Sequence, residues 1–372
     1  MNKIMDGQKT ESGRSWERRS LAWSAAVLCA LLGMWGCMAI YSTQIAALRD
    51  WNFLGRQVVF LLIGLPVLAI CWKIPFRWYE RFGVPLALAA LFGVFSVLFW
   101  GRPVNGMSGW FEPFGGIQVQ PSEFAKPFYL LLLALLWTRI ARHSEFAAMA
   151  VCFVAAAAFV VPVALEPDYG SAVIFAAMLL IFLFISGCGI WKLLLGGALL
   201  GVVAAALAVV RWDLVSQRFE AVFGNADVLG NGWHVQQFQL AIARGGWMGS
   251  KLGNTVWTEN YLPLAHNDSI FASMSETLGF LGTLPLLALL CALVVVLVKL
   301  ARGCGDDTGK VFVGSAAFLI ALQSLLHVGV NATLLPPTGL TLPLISYGGS
   351  SLIGTMMLVG MALSAAGTEK TE

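Results

Sequence analysis

The stretch that decides the fold is LPLAHNDSIFASMSETLGFLGTLPLLALLCALVVVLVKLARG, residues 262–303. From Ser269 to Lys299 it is apolar almost without interruption. About 20 apolar residues suffice to cross a bilayer, so this run predicts a membrane-spanning helix with length to spare, free to tilt or kink. Its threshold is unusual. His266, Asn267 and Asp268 stand where the apolar run starts, and Glu276 lies two turns further in. Ionisable groups near hydrocarbon are costly, about 2.5–3.5 kcal/mol each on insertion scales at mid-membrane. They are retained where they pair with one another or line a wet cavity.

Working outward, the same pattern recurs along the 372 residues. The chain is 58% hydrophobic and only 12% charged, against about 25% charged in a soluble domain. Its mean hydropathy is +0.79. These values predict an all-α polytopic integral membrane protein and exclude a soluble enzyme or a nucleic-acid-binding module. Ten candidate spans follow: 21–41, 53–72, 83–100, 124–140, 146–164, 171–187, 191–210, 269–299, 311–333 and 343–366. Residues 1–20 form a polar, basic tail before the first span and read as part of a signal anchor. Residues 21–366 read as a single membrane domain and 367–372 as a short tail. The seven cysteines suggest neither a disulfide framework nor a zinc site and read as packing residues.

Ten spans place both termini on one side, and Lys and Arg fix which. One set of loops holds Arg49, Arg56, Arg102, Lys126, Arg211, Arg218, Arg244 and Lys251. The other holds the remaining 15 of the 23 Lys and Arg, which makes it and both termini cytoplasmic. Two external loops are long: 101–123, and 211–268 between spans seven and eight. Within the second, WHVQQFQLAIA (233–243) has polar and apolar faces at helical spacing. It fits a helix lying on the bilayer surface or one packed on the outer ends of the spans.

With this orientation the acids gather on the outer face. Glu123 and Lys126 in QPSEFAK open the fourth span, Glu166 and Asp168 in EPDYGSA lie between spans five and six, and Asp268 opens the eighth. Each has a structural reading. Glu123 and Lys126 are three apart on a helix and can pair. Asp168 and Asp268 can cap the helices that follow them, with His266 a surface residue. Taken together, with a lysine among them, they fit a shared cavity. RGGWMGSKLGN (244–254) is either a glycine-rich connector or, with Arg244 and Lys251, a phosphate-holding turn. Gln323, His327 and Asn331 form a stripe suited to interhelical hydrogen bonding. In PLISYGGSSLI (343–353) small residues allow close helix approach, and Ser346 and Tyr347 can face the cavity.

QPSEFAKPF, EPDYGSA, AIARGGWMGSKLGN, LPLAHNDSIFA and PPTGLTLPLISYGGSSLI, in this order and at this spacing, resemble the SEDS family of bacterial shape, elongation, division and sporulation proteins. GRQ at 55–57 fits as well. The resemblance covers nearly the whole chain and is strongest to the cell-division branch. It implies ten helices and a peptidoglycan glycosyltransferase that polymerises lipid II into glycan strands at the outer face of the bacterial cytoplasmic membrane, at the division septum. It also implies a divalent cation, Mg²⁺ or Mn²⁺, a class B penicillin-binding protein as transpeptidase partner, and other division proteins. The family's invariant aspartate falls on Asp268, its cavity acid and lysine on Glu123 and Lys126, a further aspartate on Asp168, and an external tryptophan on Trp110. Asp268 is the expected base. Asp268 and Glu123 are the candidate metal ligands, and Lys126, Arg218, Arg244 and Lys251 the candidates for neutralising a pyrophosphate. The chain departs from the family pattern in several places. No arginine precedes Trp110, Glu166 replaces a glutamine, Leu264 stands where an acid is common, Ser269 replaces a phenylalanine, and Thr277 replaces an acid. The alternative readings are a lipid II flippase, an elongation or sporulation paralogue with the same chemistry, and a non-catalytic scaffold.

Overall fold

The computed structural model describes residues 2–46, 52–104, 107–114, 117–210, 233–250, 255–262 and 264–367, with 212, 216 and 220. Arg218 and Lys251 lie outside the described residues. Ten helices of 17 residues or more fall on the ten predicted stretches: α1 (Asn2–Ala46), α2 (Asn52–Lys73), α3 (Phe76–Trp100), α4 (Pro121–Ile140), α5 (Glu145–Leu165), α6 (Tyr169–Ile185), α7 (Ile190–Val210), α10 (Ile270–Gly303), α11 (Asp307–Asn331) and α12 (Gly349–Ala366). Two shorter helices, α8 (Trp233–Gly245) and α9 (Val256–Asn260), stand between α7 and α10. Among the described residues, seven helices are long and apolar enough to cross a membrane: α1, α2, α3, α5, α10, α11 and α12. Helix α6 is shorter but apolar, and α4 has Glu123 and Lys126 in its first two turns. The chain is a multi-pass membrane protein.

Local chemistry sets where these helices begin. Pro121 occupies the first position of α4, where its missing N–H costs nothing. The Ser144 hydroxyl accepts from Ala147 N at 3.2 Å and starts α5. Asp306 Oδ2 accepts from Gly309 N at 2.7 Å and starts α11. Helix α12 sits at the centre, packed on α2, α4 and α11, with 89% of its apolar window buried against 22% for α3. Its small residues explain that position. A Cβ on Gly360 would fall 2.5 Å from Leu68 O, and one on Gly354 would fall 2.8 Å from Glu123 O. Backbones approach this closely only where side chains are absent.

The structure corrects two expectations and decides between the two readings of a third. The fold is not purely helical, because residues between α3 and α4 form a three-stranded antiparallel meander: β1 (Arg102–Val104), β2 (Met107–Phe114) and β3 (Ile117–Val119). The last helix starts at Gly349 rather than at 343, and 343–348 form a turn packed against the bundle. Helix α8 packs on the ends of α10 and α11, where Phe238 and Ala241 join Leu262, Ala265, Ala272 and Val330 in a small apolar cluster. Of its two readings, the packed one holds.

Helix α10 is kinked. Gly279 leaves helical geometry at φ 67°, ψ −173°. The amides freed by the break find partners in the glycine-rich connector: Phe280 N donates to Gly246 O at 2.9 Å and Leu281 N to Trp247 O at 3.1 Å. Ser250 N donates to Glu276 O at 2.8 Å. A Cβ on Gly249 would fall 2.2 Å from Thr277 O. The glycines of 244–250 are thus explained by backbone contact with the kink, which satisfies groups that would otherwise be orphaned.

Candidate functional site

Asp268 is the next-to-last residue of a turn, 264–269, that leads into α10. Three neighbouring segments hold this turn. Asn331, the last residue of α11, donates from Nδ2 to Asp268 O at 2.9 Å and accepts at Oδ1 from Ala272 N at 3.1 Å. Ser346 Oγ donates to Asn267 O at 2.9 Å and accepts from Leu342 N at 2.8 Å. Tyr347 N donates to His266 O at 2.8 Å. The His266 ring stacks on Phe53 of α2 at 4.3 Å and meets Tyr347 edge-on at 5.4 Å. Leu264 (φ 47°) and Leu344 (φ 65°) are both left-handed. Such strain costs about 1–3 kcal/mol per residue and persists only where the surroundings dictate it.

Within this frame Asp268 Oδ1 is buried and has no hydrogen-bond partner among the described residues. Burial, and then the carboxylate of Asp168, push Asp268 up to about 6. Asp168 plays two parts. Its Oδ1 accepts from Ser171 N at 3.0 Å and caps α6, and its Oδ2 accepts from Gln120 Nε2 at 2.9 Å. Glu166 adds a third acid, buried, with Oε1 unpartnered. Burial, and then Asp168, raise it to about 8. Ser108 N of β2 donates to Glu166 O at 3.2 Å, which ties the meander to these acids. Trp110 lies two residues on, opposite Arg102 in the β1–β2 pair.

The remaining predicted site residues separate. Glu123 and Lys126 form a buried ion pair at 2.6 Å, so the pairing expected from their spacing is present and Glu123 is already neutralised by its neighbour. Glu276 is fully buried and works elsewhere. Its carboxylate accepts from Trp257 N at 3.0 Å, Thr258 N at 2.7 Å and Thr258 Oγ1 at 2.7 Å, and pairs with Arg244 Nε at 3.3 Å. It anchors α8 and α9 on α10, and no face of it is open to a ligand. Arg244 is thereby tied to Glu276.

Two features escaped the sequence reading. Gln120 bridges Asp168 to α12, because its N also donates to Ser350 Oγ at 2.9 Å. Its place beside Pro121 was the available signal. The second is the segment between α11 and α12. A Cβ on Gly170 would fall 2.5 Å from Thr338 O, and Gly339 lies beside Asp268 Oδ2, so residues 338–340 pass between the start of α6 and Asp268. His327 Nδ1 donates to Leu340 O at 2.7 Å and holds that passage. Of the stripe Gln323, His327 and Asn331, His327 Nδ1 and the Asn331 amide therefore position these loops, while His327 Nε2 is buried without a partner among the described residues.

Chemically, the arrangement offers an aspartate with a free oxygen, a carboxyl range shifted toward neutrality, and a rigid backbone. Those are the attributes of a proton acceptor. Asp168, near enough for its charge to raise Asp268, also presents hard oxygen donors. Among the described residues no three His, Cys, Asp or Glu side chains form a complete metal-ligand set. Mg²⁺ commonly binds through one or two carboxylates and completes its shell with water and substrate phosphates, so a single carboxylate such as Asp168 is a sufficient protein ligand for such an ion.

Comparison with known proteins agrees with the geometry. A family model described as cell cycle protein, covering FtsW, RodA and SpoVE, matches residues 20–371. The chain is similar to a probable peptidoglycan glycosyltransferase FtsW of Thioalkalivibrio sp. (strain K90mix), 36% identical over 85% of this chain and 80% of the relative. A protein so described in Nitrosococcus halophilus is 34% identical, over 90% and 89%. Among solved structures, a chain of a peptidoglycan synthase complex that coordinates polymerization and crosslinking superposes with a TM-score of 0.74 at 30% identity, covering 92% of this chain and 97% of that one. The rod shape determining protein RodA of Thermus thermophilus gives 0.69 at 29% identity, covering 92% and 96%.

Proposed function

Because this chain belongs to the FtsW, RodA and SpoVE family of cell cycle proteins, we propose that Asp268 is the base of its glycosyl transfer. The chain is a peptidoglycan glycosyltransferase of the FtsW kind. It joins lipid II units into glycan strands. In each transfer the 4-hydroxyl of the acceptor sugar attacks C1 of the donor. A new C–O bond forms, the bond from C1 to undecaprenyl pyrophosphate breaks, and the α-linkage becomes β by a single inversion. The hydroxyl proton passes to Asp268 Oδ1. The observation that carries this reading is that buried, unpartnered oxygen on a carboxyl raised to about 6. A positioned base contributes about 10²–10⁴-fold.

The departing pyrophosphate needs positive charge. Lys126 and Arg244 are committed to carboxylates, which favours a divalent cation, Mg²⁺ or Mn²⁺, held by Asp168 and the substrate phosphates rather than by Glu123, with Asp268 left free to take the proton. When bound it would offset the charge of the leaving group.

All ten long helices cross the membrane in this reading, as one domain over 21–366, with both termini cytoplasmic and Asp268 at the outer leaflet. Lipid tails then stay in the bilayer while the sugars reach the acids. A class B penicillin-binding protein at the septum, among other division proteins, would crosslink the product. The solved synthase complex, with its coupled polymerization and crosslinking, supports such a partner. A flippase would need a polar path along the bundle. His327 and Asn331, the best residues for one, are bonded to Leu340, Asp268 and Ala272 instead.

The test is glycan synthesis from lipid II with Mn²⁺ or Mg²⁺ by the purified protein with its transpeptidase. Wild type should yield polymer and Asp268→Ala none, with the complex intact. Near-normal polymer from Asp268→Ala would sink the assignment.

A further inference from the structure

The helix ends opposite Asp268 carry a second concentration of charge. Two clefts flank the end of α4 there. The first, of about 620 Å³, has Arg81, Arg139 and Arg142 facing Glu80, Asp306 and Asp307. Three cations meet three carboxylates, so it is balanced and suits water; two of these groups, Arg142 and Asp307, also line the second cleft.

The second cleft, of about 550 Å³, differs in charge and in wall. Arg142 after α4, Arg302 at the end of α10 and Lys310 in the first turn of α11 line it, and Asp307 is its single lining carboxylate. All three cations are exposed. None is in an ion pair among the described residues. Behind them the wall is apolar: Trp137, Ile185, Val298, Val311 and Phe318. Asp307 and Phe318 are eleven steps apart on α11, about 16 Å at 1.5 Å per residue. Phe318 is 41% exposed on a helix long and apolar enough to cross the membrane. A groove this long leads from a charged mouth at the helix ends into the depth of the bilayer.

We propose that this groove binds an anionic phospholipid, its phosphate among Arg142, Arg302 and Lys310 and an acyl chain along the wall toward Phe318. Phosphate suits clustered Arg and Lys. Basic pockets between helices at the membrane surface are suited to acidic headgroups, and each cation near an anionic surface contributes about 1 kcal/mol. A free phosphate would use the cations and leave the wall bare. A zwitterionic lipid would use the wall and leave a net excess of two positive charges, three less one. Only an amphiphile with a negative head uses both. The site is remote from Asp268 and does not rest on its chemistry; only the leaflet depends on the proposed orientation.

The experiment is native mass spectrometry of the full chain in neutral detergent, titrated with dioleoyl phosphatidylglycerol or dioleoyl phosphatidylcholine. The glycerol lipid should bind at least tenfold more tightly. Arg302→Gln with Lys310→Gln should weaken it roughly thirtyfold. Lys192→Gln, at a cation that lines neither cleft, should leave it unchanged, and excess inorganic phosphate should not displace it. Phe318→Ala, on an exposed position that tolerates truncation, should weaken both lipids alike. Equal binding of the two lipids, or an unaffected double variant, would overturn the proposal. Full displacement by inorganic phosphate would do so too, by reducing the site to one for a simple anion.

Discussion

Asn331 holds Asp268 by its backbone: Nδ2 donates to Asp268 O at 2.9 Å, while Oδ1 accepts from Ala272 N at 3.1 Å, one turn further along α10. The two residues are 63 apart in sequence. The last side chain of α11 thereby sets the height and angle at which the Asp268 carboxylate stands, without touching the carboxylate itself.

Replacing Asn331 by Ala leaves that carbonyl and that amide unpaired, at a cost of about 1–3 kcal/mol for each buried group. Asn331 is a positioning residue, so kcat should fall tenfold or more while KM for lipid II changes little. Steady-state polymerisation assays separate the two. A rise in KM with unchanged kcat would mean that Asn331 serves binding instead.

Polymerisation should lose activity as pH falls through about 6, because the base form of Asp268 is then protonated. Stability runs the other way. A carboxyl raised in the native state contributes fully below its unfolded value near 3.8, and that contribution is lost as pH rises through about 6. Asp168→Asn removes the neighbouring charge that raises Asp268, so the acid limb of the pH–rate profile should move to lower pH. An unmoved limb would show that another group sets it.

Glu166 is raised to about 8, so it is protonated at neutral pH, and glutamine is its neutral isostere. Glu166→Gln should keep activity within about twofold at pH 7. In the wild type, stability contributed by this proton is lost as pH rises from about 4.5 through 8. The variant has no such loss. Its melting temperature should therefore gain on the wild type between pH 6 and pH 9, as read by thermal scans in the same detergent.

Gly279→Ala should destabilise α10 by more than about 1 kcal/mol, because φ is +67° and alanine is strained there. The new methyl would also fall 2.3 Å from Gly249 N. Hydrogen exchange at Phe280 and Leu281, whose amides depend on Gly246 O and Trp247 O, should accelerate. Unchanged protection there would mean that the connector can retreat without cost.

The apolar runs were legible because hydrophobicity is a local property: twenty greasy residues need a helix wherever they sit in lipid. For that reason the stretch 262–303 announced both a span and an acid at its threshold. The Glu123 and Lys126 pair was legible for a similar reason, since a spacing of three on one helix fixes their distance. Glu276 was not. It sits on the same helix as the predicted site, but α10 breaks at Gly279, and its carboxylate is taken by Trp257, Thr258 and Arg244. Nothing local announces those partners. The meander at 102–119 was hidden as well, because it is three short strands of mixed composition.

The sequence by itself determined that this is a multi-pass helical membrane protein with acids gathered on one face, and its motifs pointed to one family. Only the tertiary structure decided which acids act together. Glu166 and Asp168 share the α5–α6 loop and Asp268 comes from the turn before α10; they are brought near because α6, α10 and α11 pack at one end of the bundle. The raised carboxyl ranges of Asp268 and Glu166 exist only there, where burial removes water and brings the charge of Asp168 beside each.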